Sequence, residues 1–121
     1  MELTIGARYA HDLLSSFMVS QGFTVTTSYL GLPTAWRAEF EMGTGGRVVG
    51  INSEMDALAG LGHACGHNLI AAAGVGVALA LKAAMVAHGT PGKIILLGTP
   101  GQCSRNGCHV WSSSIDCHWF S

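Results

Sequence analysis

From Leu69 to Leu81 every residue is apolar or glycine. This run constrains the fold more than any other feature of the chain. A bilayer-spanning helix needs about 20 strongly apolar residues, whereas runs of about 10–14 more often form a core helix. The run is mostly Ala, Gly and Val and ends at Lys82. The expectation is therefore a buried core helix over about 67–88, with no membrane as partner. A helix apolar nearly all round needs cover on more than one side, so strands are to be sought on either side of it.

They are present. Arg47 to Asn52 precedes the helix and Lys93 to Gly98 follows it, both rich in β-branched residues. Gly89-Thr90-Pro91-Gly92 stops the helix, and Thr99-Pro100 ends the last strand. Upstream, Ala35 to Met42 alternates strictly. Trp36, Ala38, Phe40 and Met42 take one face, and Arg37, Glu39 and Glu41 the other. Gly43-Thr44-Gly45-Gly46 then reads as the turn of a hairpin joining this strand to 47–52. Phe23 to Tyr29 reads as a short strand. Residues 5–21 read as an amphipathic helix, with Thr4 as a candidate cap and Gly22 suited to the left-handed position after its end. The sum is helix, three strands, long helix, strand: an α/β layer arrangement.

Composition narrows the function. With 49% hydrophobic and 11% charged residues the chain is globular rather than disordered. Its net charge of −1 offers no basic face for phosphates, so nucleic acid is not expected as a partner. Met1-Glu2-Leu3-Thr4 lacks the basic and apolar regions of a secretory leader, and a cytoplasmic location is expected. In that setting the four cysteines read as free thiols or metal ligands.

Chemistry concentrates between Asn52 and Asn68, the segment that joins a buried strand to the long helix. It carries Glu54, Asp56, His63, Cys65 and His67 among several glycines. Loops at the carboxyl ends of strands commonly hold functional groups, because the scaffold fixes them. Cys65 and His67 are two apart, so both can address one ion from a glycine turn. Thiolate and imidazole are good zinc ligands, and Asp56 can fix the tautomer of a ligand histidine. Two ligands are fewer than a zinc site takes from protein. On spacing alone, a buried small Cys65 and turn histidines at 63 and 67 are an equal reading. The spacing Gly60-x-Gly62-x-x-x-Gly66 does not match a dinucleotide loop. Gly74-Val75-Gly76 is attributed to close helix packing.

Ser53-Glu-Met-Asp-Ala-Leu58, followed by Gly62-His-Ala-Cys-Gly-His-Asn-Leu-Ile70, closely resembles the metal-site segment of family twenty of the clan MH metallopeptidases. That family includes aminoacylases, carboxypeptidase G, indole-acetyl-amino-acid hydrolases and β-alanyl-lysine dipeptidases. The asparagine after the second histidine resembles the last branch most. The likeness runs from about His11 to Pro100, and includes Leu30 to Phe40 and Ile95 to Pro100.

The resemblance implies a partial three-layer α/β/α catalytic domain over 1–100. It implies metal ligation by Cys65 and His67 and a catalytic, site-orienting role for Asp56. Glu54 stands where other branches place a histidine or aspartate near the metal. The implied cofactor is zinc or manganese in a two-metal site, incomplete here. The implied substrates are dipeptides or N-acyl amino acids, and family members dimerise through an inserted lid that has no counterpart in this sequence. After Pro100 the family continues Ala-Glu-Glu, supplying general base and ligand. This chain has Gly101-Gln102-Cys103. The expectation is a hydrolase segment truncated before the glutamate pair and inactive as it stands. A non-catalytic α/β fragment with weak metal or partner binding is the alternative. Residues 101–121 are expected to be a divergent, disordered tail, in which Cys103, Cys108-His109 and Cys117-His118 match no regular zinc module.

Overall fold

The computed structural model describes residues 3–58 and 60–100, with side chains from Arg8 onward. Its elements are helix α1 (Leu3–Ser20), strand β1 (Thr24–Thr27), a 3₁₀ turn (Tyr29–Gly31), β2 (Trp36–Met42), β3 (Arg47–Glu54), helix α2 (His67–His88) and β4 (Gly92–Thr99). The expectations for 101–121 lie outside the described residues. α1 begins at Leu3, so Thr4 lies inside its first turn rather than at the cap before it. The expected strand over 23–29 is shorter, because Ser28 and Leu30 take left-handed backbone and turn the chain toward β2.

Four strands form one mixed sheet in the order β1-β2-β4-β3. β1 and β2 pair antiparallel, as do β2 and β4, while β3 and β4 run parallel. β3, α2 and β4 thus make a βαβ unit. The hairpin expected between β2 and β3 does not form, for β4 lies between them. The glycine link 43–46 instead passes over the start of β4. A Cβ on Gly46 would stand 2.1 Å from the Pro91 carbonyl oxygen, and Gly46 has φ +85°. A side chain there meets backbone it cannot move.

Both helices contribute to one core on one face of the sheet. Met18 from α1, Phe23, and Ala71, Val75 and Ala78 from α2 cluster with Trp36, Ala38, Ile94 and Leu96. The alternation in β2 is as its sequence indicates: Trp36 and Ala38 are fully buried. Arg37 and Glu39 pair at 2.7 Å on the opposite face, and Lys93 joins Glu39 at 2.7 Å. Lys82 of α2 donates to the Gln21 carbonyl at the end of α1 and sits over the rings of Phe23 and Phe40, 5.1 and 4.7 Å from their centres. Gly98 faces Trp36 across β2 and β4, so close that a Cβ would overlap the indole at 2.0 Å.

The long helix differs from expectation in its cover. α2 buries one stripe, His67, Ala71, Gly74, Val75 and Ala78, at helical spacing. Leu69, Val77 and Val86 on other faces are 71%, 49% and 58% exposed. Small Ala and Gly side chains give the sequence no polar face to oppose the buried one, so the sequence does not reveal which side meets the sheet. By length and composition alone, α2 would be able to cross a membrane; here its buried stripe lies against β3 and β4. Gly74 approaches Ser53, whose hydroxyl donates to the Ala71 carbonyl at 3.1 Å. Close packing therefore accounts for Gly74, whereas Gly76 faces open space.

Candidate active site

The parallel pair β3 and β4 carries its polar residues at its carboxyl end. Register places Asn52 opposite Leu97 and Glu54 opposite Thr99. The Met55 amide extends the ladder by donating to the Thr99 carbonyl at 3.1 Å. The chain then leaves the sheet at Asp56 and returns at the amino end of α2 through glycine turns. Leu58 and Gly62 bond each other across one, and Gly66 donates to the His63 carbonyl at 3.0 Å in the next. Gly66, with φ 74°, precedes the first helical residue, His67. Ser53, Glu54, Asp56, His67 and Thr99 are all buried here. Buried polar groups persist only where partners compensate for lost water.

The partners form one chain of contacts. His67 Nδ1 lies 2.7 Å from Asp56 Oδ1, and the carboxylate accepts that N–H. His67 Nε2 lies 3.5 Å from Glu54 Oε2. Glu54 Oε1 accepts from Asn52 Nδ2 at 2.9 Å, and Asn52 Oδ1 accepts from Thr99 Oγ1 at 3.0 Å. Five residues from β3, the loop, α2 and β4 are thus linked in one chain of contacts, with Asp56 and Glu54 on either side of the His67 imidazole.

The sequence motif singles out Asp56, Cys65 and His67. The structure brings Asp56 and His67 together. Cys65 stands exposed as a free thiol on the turn before α2, and His63 is exposed nearby in sequence. Glu54 belongs to the end of β3 rather than to a loop, with its carboxylate turned toward His67. Asn52 and Thr99 are site neighbours that the motif does not mark. The one signal in the sequence is the polar Asn-Ser-Glu end of an otherwise apolar strand.

As to a metal, the donor set fits in part. A histidine held at Nδ1 by a carboxylate is the usual arrangement of a ligand imidazole. Among the described residues, however, no three His, Cys, Asp or Glu side chains are arranged to hold an ion. Nε2 of His67 faces a Glu54 carboxylate oxygen at 3.5 Å, and Cys65 is exposed on the turn before α2.

The chain is thus a small α/β unit with a buried Asp–His pair at the carboxyl end of its parallel strands, where ligand sites of such sheets lie. No family model matches the chain. It is 52% identical over 116 residues to the Xaa-Arg dipeptidase of Mus musculus, covering 88% of this chain and 27% of that protein. It is 36% identical over 121 residues to the Xaa-Arg dipeptidase of Homo sapiens, covering 88% and 28%. It is 35% identical over 116 residues to a p-aminobenzoyl-glutamate hydrolase component of Escherichia coli K12, covering 82% and 24%. These homologues are peptidases of family twenty, and this chain spans about a quarter of the length of the curated relatives it matches.

Proposed function

We propose that this chain is part of a metal-dependent hydrolase that cleaves amide bonds in dipeptides or N-acyl amino acids. The observation that carries the reading is the buried Asp56–His67 pair at 2.7 Å, placed where β3 gives way to α2. The names of the relatives, two dipeptidases and a p-aminobenzoyl-glutamate hydrolase, support it. Asp56 fixes the imidazole: by accepting the Nδ1 proton it leaves Nε2 as the donor toward an ion. His67 and Cys65 would hold zinc or manganese, which supplies an electrophile for the amide carbonyl. Burial on the sheet side keeps His67 and Asp56 rigid, so the orientation is set before substrate arrives.

We further propose that the 121-residue chain by itself does not turn over substrate. Gln102 and Cys103 stand where the resemblance places two glutamates, the first of them the general base, and glutamine takes up no proton at neutral pH. General-base catalysis is worth about 10²–10⁴-fold.

The test is twofold. Zinc titration should show binding that is lost in His67→Ala. Hydrolysis of an Xaa-Arg dipeptide and of p-aminobenzoyl-glutamate, with zinc or manganese present, should stay at the background rate. Turnover abolished by Asp56→Ala would overturn the proposal of inactivity. Zinc binding indifferent to His67→Ala would overturn the site.

A further inference from the structure

We infer that Ser53 is a positioning residue: its hydroxyl fixes α2 along its axis against β3, and so holds His67 within reach of Asp56. The inference rests on the reading of that pair as the functional site. It gives a role to a residue whose chemistry the site otherwise leaves unused.

Ser53 is fully buried beside Glu54, Asp56, His67 and Thr99, yet it stands outside their chain of contacts. Its hydroxyl turns instead to α2 and donates to the Ala71 carbonyl at 3.1 Å. In an α-helix that carbonyl accepts from the Val75 amide, and its second lone pair is open to the serine. Ala71 lies one turn beyond His67 on the same buried stripe. The close approach depends on Gly74, where a Cβ would stand 3.1 Å from the Ser53 Cβ.

Little else sets the height of the helix. The residue before it is Gly66, which brings no capping side chain. The stripe that meets the sheet continues as Ala71, Gly74, Val75 and Ala78. Apolar burial of such small groups is non-directional, so it holds the helix down without marking one position along the strand. Lys82 ties α2 to the end of α1 rather than to a strand. Among the described residues, and apart from the contacts of His67 itself, the Ser53 bond is the one hydrogen bond between α2 and a strand.

The site is sensitive to that position. One residue's rise along a helix is about 1.5 Å. The Asp56–His67 contact is 2.7 Å long, and hydrogen bonds weaken steeply as they lengthen and bend. A directional bond one turn from the imidazole therefore governs the pair more than it governs the stability of the helix.

Proton NMR of the full chain with isotope-labelled histidine tests the assignment. An imidazole N–H held by a buried carboxylate resonates downfield of the amides, and its loss in His67→Ala identifies it among the six histidines. Ser53→Ala should move this resonance upfield or broaden it away. Ser53→Cys, with a weaker donor of similar shape, should fall between the parent and Ser53→Ala. It carries the comparison if the alanine variant does not fold by circular dichroism. Ala78→Gly is the control on the same stripe. It should lower the melting temperature by about 4–8 °C and leave the resonance in place, because it does not touch the bond. If the Ser53 variants move the resonance no more than Ala78→Gly does, the serine adds stability alone and the inference fails, while the reading of the pair stands. If the parent shows no downfield resonance that His67→Ala removes, the pair is not formed and both fall.

Discussion

The two ends of the β3–α2–β4 unit solve different problems. At its amino end the link 43–46 squeezes across Pro91 and Gly92, and the contacts are backbone against backbone. No ionisable group is buried there among the described residues. At its carboxyl end Ser53, Glu54, Asp56, His67 and Thr99 are buried together, and all but Ser53 join one network of contacts. Burying such groups costs more than burying apolar ones of similar size. One end is shaped by the need to close the fold, whereas the other holds groups the fold would be easier to build without. That asymmetry locates function before any relative is considered.

Substitutions at the amino end should break the fold and leave the site's chemistry untouched as a cause. Gly46→Val is the largest expected effect. Its Cβ would meet the Pro91 carbonyl oxygen and carbon at 2.1 and 2.6 Å, at a φ of +85° that a β-branched residue resists. Backbone atoms cannot swing aside as a side-chain tip can. The loss should exceed about 4 kcal/mol, a large fraction of the roughly 5–15 kcal/mol that holds a domain together. Circular dichroism should show no cooperative melt. A variant melting within a few degrees of the parent would mean that the link does not cross β4 as described.

Gly98→Ala, at the carboxyl end of β4 but facing the core, should come next. Its Cβ would overlap the Trp36 indole, a fully buried side chain at the centre of the core. Overpacking costs about 1–3 kcal/mol, and the indole has no open space to enter. Urea denaturation should show a lower midpoint. A change in the folded-state fluorescence, absent when Trp36 is replaced by Phe and Trp111 and Trp119 are left in place, would identify the cause. No change in either would show that the strand pairing of β2 with β4 is looser than the register implies.

Asp56→Asn should reverse the pattern at the other end. The amide still offers an oxygen to Nδ1–H, so stability should change by about 1 kcal/mol or less. Zinc affinity should fall about 10–100-fold, the usual effect of losing the carboxylate behind a ligand histidine. Thermal melting and zinc titration of one preparation give both numbers. Equal losses in stability and affinity would erase the distinction between the two ends.

The same contrast governs what the sequence could tell. Periodicity reveals α1, β2, α2 and β4, because each pattern is local. It does not reveal that β4 enters between β2 and β3. A link of four mostly glycine residues is equally good for a hairpin, and the strand that displaces the hairpin begins 38 positions after the end of β3, at Gly92 against Glu54. At the site, Asp56 and His67 are legible from a motif within a dozen residues. Asn52 and Thr99 are not: 47 positions separate them, and only the parallel register makes them partners. The cover of α2 is hidden for a different reason. Its Ala and Gly residues leave no polar face in the sequence to mark the side turned from the sheet.

The smallest predicted effect probes the boundary between the two ends, where the middle of α2 rests on β3. Gly74 and Gly76 sit in the same helix, two residues apart, and both lower helix stability relative to alanine by about 1 kcal/mol. They differ in what a methyl group would meet. At Gly76 nothing lies within 4 Å, so Gly76→Ala should stabilise the chain by roughly 0.5–1 kcal/mol. At Gly74 the methyl would stand 3.1 Å from the Ser53 Cβ and 3.4 Å from its hydroxyl oxygen. The helix gain would then be offset by a push on β3 next to Glu54. Gly74→Ala should therefore leave the melting temperature unchanged or lower, and should weaken zinc binding, because Ser53 and Glu54 are neighbours on one strand. Gly76→Ala should leave zinc binding alone. If the two alanines stabilise alike and neither touches metal affinity, α2 does not bear on the strand closely enough to set the site.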